Sequence, residues 1–82
     1  MAATVLVRYF AGARAAAGVA EEKVAAATLG ALVEVLTARH GDRLGTVLAA
    51  CSFLVDGRNR RDRLAPLGPD AVVDVLPPFA GG

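Results

Sequence analysis

Residues 71–82 read AVVDVLPPFAGG and carry the strongest signal in the chain. The first half is rich in valine, which predicts a β-strand. Pro77 ends that strand because proline donates no ladder hydrogen bond. Residues 78–82 form a predicted tail after a domain of residues 1–77, and its two glycines fit a slot that excludes side chains. We expect this tail to enter a partner, with the carboxylate of Gly82 as the reactive group.

Three further stretches predict strands. Thr4–Phe10 is rich in β-branched and aromatic residues. Val19–Ala26 is more polar and is predicted to form a hairpin with it, as a charged edge strand. Phe53–Val55 leads into Asp56-Gly57, a dipeptide that favours a tight hairpin turn. The glycine-bounded segment Ala11–Gly18 is predicted to be a loop, with a turn of helix through its alanines as the alternative.

One amphipathic helix separates these strands. Thr28 is a suitable N-cap, Gly41 a suitable stop, and Asp42 a candidate cap for a shorter second helix. The apolar positions of the main helix follow helical spacing and lie on one face: Leu29, Leu32, Val33 and Leu36. Such a stripe must be buried against a sheet. The sequence therefore predicts an α+β fold, with four or five strands curled around one main helix.

Composition restricts the class of function. The 82 residues make one domain that is small for a deep active site. Nine basic against eight acidic residues argue against nucleic-acid binding. The N-terminus has no signal-peptide pattern, and no apolar run is long enough for a membrane helix. Cys51 is the single cysteine and is expected to be a small core residue. Together these features predict a cytoplasmic protein.

Strand parity predicts one buried and one exposed sheet face. Val5, Val7 and Tyr9 alternate with Leu6 and Phe10 along the first strand. The face opposite the core would be half apolar, and such patches usually bind partners. Its predicted partner-binding residues are Leu6, Phe10, Leu54 and Leu76.

Two groups of ionisable residues have modest predicted roles. Arg60 belongs to an arginine-rich segment with Arg58, Arg61 and Arg63. That segment is predicted either to be solvated or to meet an acidic patch on a partner. His40 is expected to lie at the surface of a helix end. No metal-ligand spacing or nucleophile triad is present, so independent catalysis is not expected.

Three motifs resemble a known family. Phe10-Ala11, Arg14 and Gly18 are similar to an F-A-x-x-R-x-x-x-G hairpin, and Thr28-Leu29-Gly30 is similar to that family's helix start. The P-P-F-A-G-G end is similar to its P-P-x-x-G-G terminus. With this element order, the chain resembles the ubiquitin-like β-grasp fold and the prokaryotic sulfur carriers, most nearly the small-subunit branch of molybdopterin synthase. It departs from the family in carrying Asp56 where asparagine is frequent.

The resemblance implies a carrier whose chemistry is supplied by partners. A ubiquitin-activating-like adenylyltransferase would use ATP to adenylate Gly82, and a sulfur donor would convert it to a thiocarboxylate. Gly81 would accompany it at the reactive end, with Pro78, Phe79 and Ala80 as tail contacts. The large subunit of molybdopterin synthase would be the acceptor partner in a 2+2 assembly and would carry the catalytic groups. No cofactor, metal, nucleic acid or membrane would be bound by the carrier itself.

Other functions remain open at this point. A carrier of the same chemistry could serve thiazole or cysteine synthesis. A ubiquitin-like modifier would instead join Gly82 to a lysine through an isopeptide bond. An interaction domain with an inert tail would keep its function when Gly81-Gly82 is removed.

Overall fold

The computed structural model describes residues 3–78 and places five strands in one mixed sheet, in the order β2-β1-β5-β3-β4. β1 and β5 are parallel at its centre, and the other neighbouring pairs are antiparallel. This confirms the α+β, β-grasp prediction and the prediction that β2 is an edge strand. The elements in chain order are β1 (Ala3–Tyr9), α1 (Ala11–Ala17), β2 (Glu21–Ala26), α2 (Leu29–His40), α3 (Asp42–Ala50), β3 (Ser52–Val55), β4 (Arg58–Arg60) and β5 (Val72–Leu76).

The loop predicted for residues 11–18 is wrong, because the chain forms helix α1 there. Ala13 and Ala17, four residues apart, are buried on one side of this helix. Gly18 ends it in a left-handed conformation at φ 78°, and its N–H donates to the carbonyl of Arg14 at 2.9 Å. The motif that suggested a hairpin therefore builds a helix between the two paired strands. β2 also begins at Glu21, two residues later than predicted.

Helix α2 begins as predicted. The hydroxyl of Thr28 accepts a hydrogen bond from the N–H of Ala31 at 3.2 Å, which satisfies one free donor of the first turn. The N–H of Gly30 donates to the carbonyl of Arg63 at 2.8 Å. A Cβ at Gly30 would lie 3.0 Å from that oxygen. The threonine-leucine-glycine start is thus explained by the close approach of the loop that follows β4.

Helix α3 packs tightly against α2. Gly41 lies between the two helices at φ 95°, a backbone conformation that favours glycine. It also occupies the N-cap position of α3, so the prediction that Asp42 caps this helix is wrong, and Asp42 is instead its first residue. At the contact, a Cβ on Gly45 would lie 2.8 Å from the Cγ2 of Thr37. The small residue at position 45 therefore sets how closely the helices approach.

The turn after β3 is the predicted Asp56-Gly57 hairpin. Both residues have positive φ, 50° and 83°, as the tight turns that favour this dipeptide require. Asp56 also ties the turn to β5: its N–H donates to the carbonyl of Val72 at 2.8 Å, and its Oδ1 accepts from the N–H of Val72 at 2.9 Å. Asparagine, frequent here in the family, offers the same acceptor and tolerates the same backbone conformation. The departure from the family pattern therefore preserves the local structure.

The core lies between one sheet face and the helices. Val5, Val7 and Tyr9 of β1 are at most 1% exposed, as the predicted parity requires. The helices contribute fully buried leucines that include Leu32 and Leu36 of α2. Cys51, predicted as a core residue, is only half-buried at the edge of this core, where its thiol donates to the carbonyl of Val47. Burial raises the pKa of the Cys51 thiol.

Candidate functional site

The sheet face turned away from the helices is half apolar, as predicted. We call this the outer face. It is formed by alternate residues of the central strands, and its apolar members are partly rather than fully exposed. Phe10, just after β1, is exposed to a similar degree, and its N–H donates to the carbonyl of Val75 at 3.2 Å. The apolar members of the outer face are Leu6, Leu54, Val72 and Leu76.

An ion pair interrupts this apolar surface. Arg8 and Asp74 are cross-strand neighbours, and the guanidinium binds the carboxylate through both Nε–Oδ1 at 2.6 Å and Nη2–Oδ2 at 2.9 Å. The hydrogen bond that Arg8 donates to Asp74 raises the pKa of Arg8. The Asp74 side chain is 13% exposed, although it faces outward. The pair gives the outer face a fixed polar centre, and bidentate geometry gives such a centre directional specificity.

The start of the tail lies beside the N-terminal end of β3. Leu76, the last residue of β5, pairs with Ser52, and Pro78 is exposed two residues further on. The predicted contact residues Phe79 and Ala80 lie outside the described residues. Gly81 and the predicted reactive residue Gly82 do so as well. The described part of the site is therefore the outer face and the point where the chain leaves it.

Arg60 does not share a face with the other predicted partner-binding residues. It pairs with Phe53, whose side chain is buried toward the helices, whereas its neighbour Asn59 pairs with Leu54. Residues directly opposite across a strand pair share a face. The structure therefore brings Leu6, Leu54 and Leu76 together on the outer face and places Arg60 on the other side of the sheet.

A polar cluster that the sequence did not predict joins β2 to the end of α2. Oε2 of Glu22 accepts a hydrogen bond from the hydroxyl of Tyr9 at 2.7 Å, and Oε1 accepts from Nη1 of Arg39 at 2.7 Å. Nε2 of His40 also contacts Oε2. The prediction that His40 is a surface residue is thus wrong, because its side chain is only 15% exposed. The separation of these residues in sequence hid the cluster.

The electrostatics of this cluster follow from its contacts. Burial is the largest single influence on Glu22 and by itself raises the pKa of that carboxyl. The hydrogen bonds from Arg39, Tyr9 and His40 together outweigh burial and hold the pKa below its ordinary value. Burial, followed by the bond to Glu22, raises the pKa of Tyr9 far above its ordinary value. The cluster thus fastens a helix end to an edge strand through a charged carboxylate.

Two further properties concern the described part of the chain. Within residues 3–78, no three histidine, cysteine, aspartate or glutamate side chains lie close enough together to hold a metal ion. No helix in that range is long and apolar enough to cross a membrane.

A five-stranded mixed sheet wrapped over a main helix, with a half-apolar outer face, defines a ubiquitin-like β-grasp domain. The comparison with protein families makes this specific. Residues 7–82 match the ThiS family, so the chain belongs to that family. Comparison with curated proteins gave no match.

Solved structures with the same fold include subunits of molybdopterin-converting factors and archaeal modifier proteins. A candidate molybdopterin converting factor subunit 1 from Pyrococcus furiosus is 30% identical, with a TM-score of 0.83 over 94% of this chain and 99% of that one. The small archaeal modifier protein 1 of Methanosarcina acetivorans is 26% identical, with a TM-score of 0.83 over 100% and 99%. The complex of subunits 1 and 2 of the Helicobacter pylori molybdopterin-converting factor contains a chain that shares the fold at 24% identity, with a TM-score of 0.73 over 96% and 99%.

Proposed function

We propose that this protein is a sulfur carrier that acts as the small subunit of molybdopterin synthase, with Gly82 as the residue that is adenylated and thiocarboxylated. The observation that carries the proposal is the extent of the family match, which runs through residue 82 and so includes the P-P-F-A-G-G end. The 30% identity to the Pyrococcus furiosus protein supports the molybdopterin branch.

The proposed chemistry needs little from the folded domain itself. A carboxylate is a poor acyl donor, so one oxygen of Gly82 attacks the α-phosphorus of ATP on an activating enzyme and pyrophosphate leaves. A sulfide equivalent then attacks the acyl carbon, AMP leaves, and a thiocarboxylate remains. The absence of side chains at residues 81 and 82 suits entry into a narrow catalytic slot. Pro77 and Pro78 stiffen the start of the tail, which lowers the entropy lost on insertion.

The outer face is the proposed docking surface for the large subunit. Leu6, Leu54 and Leu76 are partly exposed on it, around the ion pair of Arg8 and Asp74. An apolar surface with a fixed polar centre combines affinity with orientation. The two subunits named in the Helicobacter pylori complex support a partner of this kind.

The intact mass of the protein tests the carrier chemistry. The protein is expressed with the adenylating enzyme encoded in its own genome and a sulfide source, and the unmodified mass first establishes that residue 82 is terminal. Replacement of one carboxylate oxygen by sulfur gives a defined mass increase. Because oxidation adds almost the same mass, fragmentation must place the increase on Gly82.

A variant that lacks Gly82 is the control and should remain unmodified. If the full-length protein gains no sulfur while the same enzyme loads a known carrier, the proposal is wrong. If sulfur is gained, transfer to a cyclic pterin precursor in the presence of the large subunit separates the molybdopterin branch from carriers for thiazole or cysteine synthesis.

A ubiquitin-like modifier is the second candidate. It is favoured by the modifier protein 1 of Methanosarcina acetivorans, which the chain matches along its whole length. A modifier would form an isopeptide bond from Gly82 to lysines of other proteins. Higher-mass conjugates in cells that disappear when Gly82 is deleted would support it, whereas sulfur loading without any conjugate would favour the carrier.

A further inference from the structure

An arginine-rich surface lies on the β3–β4 hairpin and the loop that follows it. We call the exposed side chains of Arg58, Arg60, Arg61 and Arg63 the arginine surface. Within residues 3–78, the ion pairs join Arg8 to Asp74 and both Arg39 and His40 to Glu22. None of the four arginines is therefore paired with a carboxylate of the described chain. They form a concentrated positive charge on a protein whose net charge is only +1.

Register places Arg60 and Arg61 of this surface at the end of the sheet where the tail begins, whereas Arg58 pairs with Val55 beside the turn at the other end. Ser52 pairs with Leu76 of β5, and the next residue, Phe53, pairs with Arg60 of β4. The chain then continues through Arg61 beyond that end. An open cleft of about 280 Å³ is lined there by Ser52, Phe53, Arg60, Arg61 and Arg63. A partner that takes up the tail would thus come close to the arginines.

The backbone of the loop is held in place. The guanidinium of Arg63 lies 5.6 Å from the centroid of the Phe53 ring, and the Arg63 carbonyl accepts from Gly30 at the start of α2. Oδ1 of Asp62 accepts from the N–H of Leu64 at 2.9 Å. The turn presents Leu64 to solvent, where it is 80% exposed. A preordered surface loses less entropy on binding.

These features fit an acidic protein surface better than a nucleic acid. Phe53, the aromatic residue of the cleft, is 4% exposed and lies beneath Arg63, so it is not available for stacking on bases. The near-neutral net charge also lacks the basic excess typical of nucleic-acid binders. Leu64, flanked by arginines, suits an apolar recess in a protein.

We propose that the arginine surface and Leu64 bind an acidic rim, with an apolar recess, around the tail-binding channel of the activating enzyme. The inference rests on the proposed function and names the surface used in its first step. A carrier must leave the activating enzyme after each loading event. Charge complementarity speeds association without requiring a long-lived complex, whereas the apolar outer face suits the large subunit.

Loading kinetics test the proposal. The initial rate of thiocarboxylate formation is measured at increasing carrier concentration, for the native protein and for Arg60→Glu/Arg61→Glu. The matched control is Arg14→Glu/Arg43→Glu, which changes the net charge equally on exposed residues of α1 and α3. Arg63 is left intact because it packs on Phe53.

We expect kcat/KM of Arg60→Glu/Arg61→Glu to fall about tenfold or more at low salt, mainly through KM. The loss should shrink as salt rises from 0.1 to 1 M, since the screening length falls from about 10 Å to about 3 Å. The kcat/KM of the control variant should stay within about twofold of the native value, because the effect requires contact at the arginine surface. Leu64→Ser should raise KM without changing the salt dependence.

Four results would overturn the inference. If the native protein is loaded and Arg60→Glu/Arg61→Glu behaves like the control, the surface is not used, although the proposed function stands. If both double variants lose activity equally, net charge alone is responsible. The native protein could also bind single-stranded DNA or phosphatidylserine vesicles in a salt-sensitive way. If Arg60→Glu/Arg61→Glu abolishes that binding while loading is unchanged, the arginine surface binds phosphate groups rather than the activating enzyme. If the native protein is not loaded, the proposed function and this inference both fail.

Discussion

Replacing Glu22 by glutamine should destabilise the fold far more than its position on an edge strand suggests. The carboxylate accepts from Tyr9 and Arg39 and also contacts His40, and its side chain is 14% exposed. Glutamine keeps the size of the side chain but offers one acceptor oxygen in place of two. The variant therefore tests the polar cluster without opening a cavity.

The magnitude follows from the separate contacts. If the amide oxygen of the Glu22→Gln variant stays on the buried Tyr9 hydroxyl, that hydrogen bond loses its charged acceptor, which lowers its contribution by about 1 kcal/mol. Arg39, 46% exposed, then swings into solvent, and the loss of such a pair removes about 0.5–1 kcal/mol. We expect the free energy of unfolding to fall by about 2 kcal/mol in total. For a domain of this length that corresponds to a Tm lower by about 8–16 °C.

The effect should depend on pH in a defined direction. The pKa of Glu22 is lower in the folded protein than its ordinary value of 4.5, so the folded state favours the ionised form. Its stabilisation is therefore complete above the ordinary value and is lost as the pH falls through the folded-state pKa. Glutamine does not titrate. The difference in unfolding free energy between the native protein and Glu22→Gln should be largest near neutral pH and should narrow in acid.

Thermal and urea unfolding followed by circular dichroism measure both effects between about pH 7 and pH 3. Glu21→Gln is the control, since Glu21 is the exposed neighbour on the same strand and should change stability by less than about 0.5 kcal/mol. A Tm of Glu22→Gln within about 2 °C of the control, a shift of well under 1 kcal/mol, would refute the reasoning. A difference that stays constant down to pH 3 would refute the assigned role of the ionised carboxylate.

Three other predictions test local features of the structure. Gly45→Ala should lower the free energy of unfolding in urea by about 1–3 kcal/mol, because the new Cβ would overlap Thr37. The control Gly12→Ala has open space around it and should be neutral or stabilising. Equal effects of the two substitutions would contradict the contact between α2 and α3. Asp56→Asn should leave the stability nearly unchanged, whereas Asp56→Ala should lower the free energy of unfolding by about 2 kcal/mol. Alanine lacks the side-chain oxygen that accepts from the N–H of Val72, and it disfavours the positive φ. Similar Tm values for the two variants would show that the Asp56 side chain does not stabilise the turn. Leu54→Thr on the outer face should weaken calorimetric binding of the large subunit about tenfold or more with a small change in Tm, and unchanged affinity would remove this face from the interface.

Local patterns predicted most of the fold. The cap at Thr28, the Asp56-Gly57 turn and the alternation along β1 depend on steric preferences within a few residues, and all three are confirmed. Helix α1 was missed because alanines give a weak hydrophobic period. The spacing of Ala13 and Ala17 was the available signal, since both are buried on one helix face.

The candidate site was predictable only in part. Parity placed Leu54 and Leu76 on one outer face, and the strand pairing bears this out. Arg60 could not be assigned to a face from its own sequence, because β4 has three exposed residues and no hydrophobic alternation. Its position follows from pairing with Phe53 across the turn.

The sequence by itself determined most element types, α1 excepted, together with the two sheet faces and the motif at residues 77–82, because these depend on short-range periodicity and backbone sterics. Only the tertiary structure decided which distant residues meet. Arg8 reaches Asp74 because β1 and β5 are parallel neighbours, and Glu22 reaches His40 because α2 returns across β2. Such contacts join residues far apart in the chain, and the entropy of closing the intervening loops varies only slowly with length, so sequence separation gives no clue to the partner.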